Sequence, residues 1–249
     1  MCGICGYYEM GGEKRPDTNA LGRMADAIIH RGPDSSGYYA KDRVGLGFRR
    51  LSLIDLEGGN QPLFNEDNSI ALICNGEIYN YRELREELIG QGHAFRTKTD
   101  VEVLVHLYEE KGIEFLNRLN GQFAFAIYDG HERKLFLARD HFGINPLYYT
   151  IAGDTLIFGS EIKAILAHPL VKPEVNLAGL DQILTFPGLV SPVTMFKGIH
   201  SLKSGNYLVV SGRDVQVKEY WDLDYPREGE IEYDAREDYY IERLSDLLS

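Results

Sequence analysis

The sequence predicts an α+β fold built on antiparallel sheets, on three observations. Short apolar or alternating stretches come in runs with hairpin-length links, as where Tyr207 to Val210 and Val215 to Tyr220 are joined by Ser211-Gly212-Arg213-Asp214. Helical patterns are grouped between those runs instead of alternating one for one with strands. The chain has 249 residues, 44% apolar and 26% charged, enough to bury a sizeable core. No break in composition precedes Trp221, so one domain is expected over residues 1–221, followed by an acidic segment over 222–249.

Taken in order, residues 3–8 are short and apolar and read as a buried strand. Gly11 to Pro16 is a turn region. A helix is expected from about Asn19 to His30, with Leu21, Met24, Ala25 and Ile28 on one face and Asp17 or Thr18 as cap. The run Arg31-Gly32-Pro33-Asp34-Ser35-Ser36-Gly37 is dense in turn formers. Val44 to Ile54 is apolar except for Arg49 and Arg50, which on a strand point to opposite faces, so at most one faces any pocket. After a loop at Gly58 to Pro62, Ser69 to Cys74 reads as a buried strand that runs into Asn75-Gly76-Glu77. Helices are expected at about Tyr81 to Gln91 with Asn80 as cap, at Asp100 to Lys111 ending at Gly112, and at Glu114 to Leu119. Phe123, Phe125 and Ile127 alternate as in a strand, and Leu135 to Ala138 and Leu156 to Phe158 look similar. Arg139 to Pro146 is turn-rich, Ser160 to Ala167 reads as a short helix, and a last helix begins at about Tyr233.

Charge and cysteine usage exclude some functions. A net charge of −12 argues against nucleic acid as the main partner. Much of it is local: Asp222 to Ser249 carries ten acids against three bases, leaving −5 for the first 221 residues. No stretch is long and apolar enough to span a bilayer, and the N-terminus lacks signal-peptide character. Three cysteines, an odd count without a framework, suit the cytoplasm.

The chemistry centres on Met1-Cys2-Gly3-Ile4-Cys5-Gly6. Trimming of Met1 would leave a thiol and a free α-amine on Cys2. Their ordinary pKa values, about 8.5 and about 7.7–8.0, let the amine take the thiol proton. A thiol attacking an amide also needs oxyanion donors and a grip on its substrate. Asn75 and Gly76 can supply the donors, although the dipeptide taken alone reads as a hairpin turn. Arg50 can clamp a carboxylate, or lie at the surface. Asp100 can hold an ammonium, or simply cap a helix, and Glu77 can add a second negative charge there. A rival use of Cys2-Gly3-Ile4-Cys5 is a dithiol or zinc site. Only Cys74 remains as a further thiol, and none of the seven histidines is paired at ligand spacing, so no metal is expected.

Read together, MCGICG, HRGPDSSG (30–37), RRLSLIDLEGGNQPL (49–63), NGEIYNYRELR (75–85), TDVEVLVHLYEEKG (99–112), FAFAIYD (123–129), RDHFGINPLYY (139–149) and SEIKAIL (160–166) resemble the glutaminase domain of glutamine-hydrolysing asparagine synthetases. That is a class II glutamine amidotransferase domain of the N-terminal-nucleophile hydrolase fold, and the resemblance extends to about Trp221. It implies a four-layer αββα sandwich with two antiparallel sheets. It implies Cys2 as nucleophile, Asn75 and Gly76 as oxyanion hole, Arg50 on the glutamine α-carboxylate, Leu51, Ser52, Leu53 and Ile54 lining that pocket, and Glu77 with Asp100 on the α-amine. No metal or organic cofactor is implied for this half. ATP and magnesium belong to a C-terminal synthetase domain whose phosphate-binding loop this sequence lacks, and the segment from Asp234 resembles the first helix of that domain. A homodimer is compatible with the sequence. Two readings compete: a related amidotransferase with another carboxylate acceptor, and a glutamine-binding domain without catalysis.

Overall fold

The computed structural model describes residues 1–12, 15–52, 59–227, 229 and 236–248. In chain order its strands and helices are β1 (Gly3–Glu9), α1 (Thr18–Asp26), β2 (Ser35–Lys41), β3 (Val44–Arg50), β4 (Leu63–Phe64), β5 (Ile70–Ile78), α2 (Tyr81–Gly90), α3 (Val103–Lys111), β6 (Gly121–Asp129), β7 (Lys134–Arg139), β8 (Tyr148–Ala152), β9 (Thr155–Gly159), α4 (Ile162–Leu166), α5 (Leu177–Thr185), β10 (His200–Ser201), β11 (Asn206–Ser211), β12 (Asp214–Glu219) and α6 (Glu237–Leu248). They form two six-stranded sheets, ordered β10-β8-β9-β1-β3-β2 and β12-β11-β7-β6-β5-β4, and every pairing between these strands is antiparallel.

The alternation of side chains along each strand sorts the apolar residues into three layers of core. Between the sheets lie Ile4, Tyr8, Leu46 and Phe48 from one and Ile73, Ala124, Ala126 and Leu137 from the other. The alanines leave room for the aromatic rings opposite, so the two faces interlock. On the outer face of the second sheet, Leu72, Phe123, Phe125 and Phe136 pack against Leu84 and Leu88 of α2 and Leu104 and Leu107 of α3. On the outer face of the first, Cys5, Tyr7 and Ile157 meet Leu21, Met24 and Ala25 of α1 and Ile165 of α4. The result is the expected αββα order. It explains why β1 is buried along its whole length: both of its faces are covered.

Several expected elements differ in extent. The first helix stops at Asp26, and Ile29–Arg31 form a separate 3-10 turn. The turn lets Gly32 press against the β3 backbone, where any Cβ would come within 2.3 Å of the Arg49 carbonyl carbon. Asp17 is the helix cap, accepting from the Asn19 and Ala20 amides at 2.9 and 3.0 Å. The turn-forming run from Arg31 gives way to a strand at Ser35, because pairing with β3 along its whole length holds β2 extended at the edge of the sheet. The short strands β4, β8 and β10 and the helix α5 went unassigned in the sequence; two to five residues are too few to display a period of two. Asn80 does not cap α2 through its side chain. It ties the helix to Arg118 and Asn120 instead. The expected helix start near Tyr233 lies outside the described residues; the terminal helix is described from Glu237.

The most consequential difference concerns Asn75-Gly76. The pair is not a turn but the interior of β5, with Asn75 opposite Ala124 and Gly76 opposite Phe123 on β6. A Cβ on Gly76 would sit 2.2 Å from the Gln122 carbonyl oxygen and 2.6 Å from the Phe123 Cα. Glycine is required by the closeness of the neighbouring strand. Gly76→Ala should therefore destabilise the fold by ~1–3 kcal/mol, since the overlap is with backbone that cannot rotate away. The urea midpoint of unfolding checks this; an unchanged midpoint refutes the close approach.

Candidate active site

Cys2 immediately precedes β1, which lies between β9 and β3 in the interior of the first sheet. Chain ends ordinarily fray, but this one is tied down. The Cys2 carbonyl accepts from Arg31 Nε at 2.8 Å, and Arg31 in turn pairs with Glu161 at 3.2 Å. Two residues on, Ile4 and Ser160 bond reciprocally: Ile4 N donates to Ser160 Oγ at 3.0 Å and Ser160 N to Ile4 O at 2.8 Å. The half-buried Cys2 thiol meets the chain just beyond β3. Leu51 N donates to Sγ at 3.4 Å, and the thiol reaches Leu51 O at 3.6 Å. Met1 projects outward and is well exposed.

Burial pushes the Cys2 thiol pKa up, while the Leu51 amide, the chain's amino terminus, Arg50 and Arg31 pull it back. Burial dominates at the other two thiols: it pushes Cys5 up to about 12 against the pull of Arg49, and together with the Asp100 charge it holds Cys74 well above the ordinary range. Of the three, Cys2 alone combines access with nearby cations.

A cleft opens beside the sulfur. Its walls are Cys2, Phe48, Arg50, Leu51, Gly59, Gln61, Cys74, Gly76, Glu77, Thr99, Asp100 and Val101. The arginine pair divides as strand geometry demands: Arg50 turns into the cleft and is buried, whereas Arg49 faces α1, bonding to the Ala25 carbonyl and pairing with Asp26. Glu77 and Asp100 supply negative charge. Asp100 is not a helix cap, since α3 begins at Val103; its carboxylate accepts from Ile78 N at 2.7 Å, which fixes it against β5. Burial raises the Asp100 pKa and the Glu77 charge adds to the rise, opposed by the Ile78 hydrogen bond. One guanidinium and two carboxylates on one cleft complement a ligand bearing both a carboxylate and an ammonium.

Of the sequence-predicted residues, the structure thus gathers Cys2, Arg50, Leu51, Gly76, Glu77 and Asp100 around one cleft. Asn75 stands behind its wall, on the face of β5 shared with Ile73, which borders the same inter-sheet layer as Cys2. Its Nδ2 donates to Asn145 Oδ1 at 2.9 Å, and Asn145 N donates to Asp140 Oδ2 at 3.0 Å. An amide nitrogen carries two hydrogens, so one remains for a ligand. Ser52 does not line the cleft; its amide donates to Asp34 Oδ2 at 2.8 Å. Leu53 and Ile54 lie outside the described residues.

Sequence reasoning missed Arg31, Gln61, Thr99 and Asn145. Gln61 imitates a strand neighbour, with Nε2 donating to Cys74 O at 3.0 Å and Oε1 accepting from Cys74 N at 2.6 Å, which seats its loop on β5. Arg31 and Asn145 sit in turn-rich runs whose composition announces only a bend.

With this geometry established, similarity to known proteins can be weighed. The sequence profile of the glutamine amidotransferase domain matches residues 1–221. The chain belongs to that family. Asparagine synthetase [glutamine-hydrolyzing] 2 of Bacillus subtilis (strain 168) is 41% identical over 232 residues, covering 90% of this chain and 31% of the relative. Asparagine synthetase [glutamine-hydrolyzing] 3 of Arabidopsis thaliana is 42% identical over 166 residues, covering 66% and 28%. Amidase chyE of Penicillium rubens is 36% identical over 249 residues, covering 95% and 36%. The chain thus spans about a third of the length of these relatives. The glutamine phosphoribosylpyrophosphate amidotransferase of B. subtilis superposes with a TM-score of 0.65 at 20% identity, over 88% of this chain and 49% of that one. The shared fold is the N-terminal-nucleophile amidotransferase sandwich. No helix among the described residues is long and apolar enough to cross a membrane.

Native alkylation checks the thiol environments. Iodoacetamide should label Cys2 and spare Cys5 and Cys74 until the protein unfolds. The Cys2 rate should climb as pH rises toward its raised pKa, and Arg31→Gln, by removing a cation that favours thiolate, should slow labelling at pH 7.5. Peptide mass spectrometry reads all three sites; comparable labelling of Cys5 would contradict the packing described.

Proposed function

We propose that this domain hydrolyses the side-chain amide of L-glutamine to glutamate and ammonia through a thioester on Cys2. The observation that carries the reading is the Cys2 sulfur opening on a cleft with Arg50 on its walls together with Glu77 and Asp100. The glutamine α-carboxylate pairs with Arg50 and its α-ammonium with Glu77 and Asp100, which leaves the amide end for the thiol. Once Met1 is removed, the α-amine of Cys2 takes the thiol proton. The thiolate adds to the amide carbon, and the oxyanion is met by the Asn75 side chain and the Gly76 amide. The amine returns the proton to the departing nitrogen, ammonia leaves, and a γ-glutamyl thioester remains. Water, deprotonated by the same amine, then attacks that thioester and releases glutamate and the thiol. No metal or organic cofactor enters these steps.

We further infer that residues 1–221 form the glutaminase unit and that 222–249 are an acidic linker leading into a synthetase domain. That domain would use ATP and magnesium to make asparagine from aspartate with the ammonia delivered to it. Relatives about three times as long, named as glutamine-hydrolysing asparagine synthetases, support this assignment. The free state of all three thiols suits a cytoplasmic protein.

Coupled glutamate detection and intact-mass measurement test the proposal. Protein beginning at Cys2 should release glutamate; Cys2→Ala and protein retaining Met1 should not. Brisk turnover by the Met1-capped form refutes the role of the amine. Asn75→Ala should lower kcat by ~10²–10³. Arg50→Ala should act on KM instead, through loss of ~2–5 kcal/mol of binding.

A pH dependence follows from Asp100. Its folded pKa is raised, so its carboxylate protonates earlier than an ordinary one as pH falls. The ammonium partner is then lost, and KM for glutamine should rise on the acid side. Asp100→Asn should have a high KM throughout and lack that limb. A KM profile of the variant with the same acid limb as wild type assigns the titration elsewhere.

A further inference from the structure

Outside the cleft lining, on the outer helical layer, three segments converge. They are the loop after β4 with Glu66, the α2–α3 connection with His93, and α3 with His106, Glu109 and Glu110. His106 is fully buried, and neither of its ring nitrogens has a hydrogen-bond partner. Its Nδ1 lies 3.4 Å from Glu66 Oε2, in an orientation that makes no hydrogen bond. His93 Nδ1 is 3.2 Å from Glu66 Oε1 and 3.9 Å from Glu109 Oε2. One donor atom from each of Glu66, His93, His106 and Glu109 can be chosen so that all four lie within 4.8 Å of one another.

We propose that Glu66, His93, His106 and Glu109 form a structural zinc site. A buried imidazole with both nitrogens unpartnered is costly, and a cation at Nδ1 removes half of that cost. Tetrahedral zinc with bonds of about 2.0–2.1 Å has ligand–ligand edges of about 3.3–3.4 Å; the two histidine–Glu66 separations, 3.4 and 3.2 Å, already match, and Glu109 at 3.9 Å from His93 needs to close by about half an ångström. Two imidazoles and two carboxylates suit zinc in ligand type and neutralise its charge. His93 is also supported from behind: its other nitrogen, Nε2, lies 3.0 Å from Glu110 Oε1, the carboxylate–imidazole arrangement that orients metal-binding histidines. Among the described residues no lysine or arginine pairs with Glu66, Glu109 or Glu110. The nearby cations are engaged elsewhere, Arg85 on the Phe95 ring and the Thr97 carbonyl and Arg96 on Asn68 and the Glu66 carbonyl. A bound ion would tie the α2–α3 connection to α3, whose preceding loop carries Asp100.

The test is calorimetric titration of zinc chloride into the chelator-treated 249-residue protein carrying Cys2→Ala, which removes the accessible competing thiol and makes the result independent of glutamine turnover. One equivalent should bind with a dissociation constant tighter than about micromolar, magnesium should not compete, and the melting temperature should rise with bound zinc. Glu66→Gln and Glu109→Gln, both partly exposed and so compatible with folding, should each abolish stoichiometric binding. Glu110→Gln should weaken it by about 10- to 100-fold. Circular dichroism confirms that each variant is folded. Absence of 1:1 binding, or 1:1 binding that Glu66→Gln and Glu109→Gln leave unchanged, overturns the proposal.

Discussion

The structure depends on holding a chain terminus still. The proposed nucleophile, sharing a residue with its proposed base, would sit at the very start of the mature chain, where segments usually lack partners. Here the following residues enter the interior of a sheet, covered on both faces, and Arg31 grips the Cys2 carbonyl itself. The early end of α1 has its explanation in that contact. A helix continued to His30 would carry Arg31 away, whereas a break after Asp26 and a 3-10 turn bring it under Cys2. Glu161 holds the far end of the guanidinium, so the terminus is linked to the loop before α4 as well.

The second sheet does comparable service through β5. Five consecutive residues, Cys74 to Ile78, build this side of the site. Asn75 faces the inter-sheet layer and is oriented by Asn145, which the Asp140 carboxylate and Arg139 hold in place. Cys74 and Gly76 border the cleft, Glu77 contributes charge to it, and the Ile78 amide fixes Asp100. A shift of register by one residue would exchange these faces and dismantle the site. The close approach of β6 at Gly76 keeps that register.

What was legible in the sequence follows from how local each signal is. The division of labour between Arg49 and Arg50 could be read from strand alternation because it needs only two adjacent residues. The helix α1 showed its apolar face through Leu21, Met24 and Ala25, residues adjacent on one side of a short helix. Asn75-Gly76 was ambiguous because the same dipeptide suits a two-residue turn, and only pairing with β6 decides between them. β10 pairs only with β8, some fifty residues away, so its own two residues carry little pattern. Arg31 and Gln61 act on backbone carbonyls and amides, partners that any sequence offers everywhere, and Asn145 meets the Asn75 side chain from 70 positions away. The meeting of His93 with His106 was likewise invisible, since the helix–loop geometry that joins them is tertiary.

Burial at the cleft works against ionisation of the groups it encloses. It raises the pKa of the Cys2 thiol and of the Asp100 carboxyl alike, and three cationic groups only partly offset the first. A thiol in that position is mostly protonated near neutral pH, so proximity to Arg31 and Arg50 does not by itself make it a nucleophile. The proposed reaction needs a base within reach, and in that proposal the carboxylates lining the cleft, Glu77 and Asp100, are taken up by the substrate ammonium. The α-amine proposed as base on Cys2 would meet the need from within the same residue. The same desolvation that burdens the resting thiol strengthens each hydrogen bond to a developing oxyanion, so the cost borne in the ground state is offset where the reaction requires it.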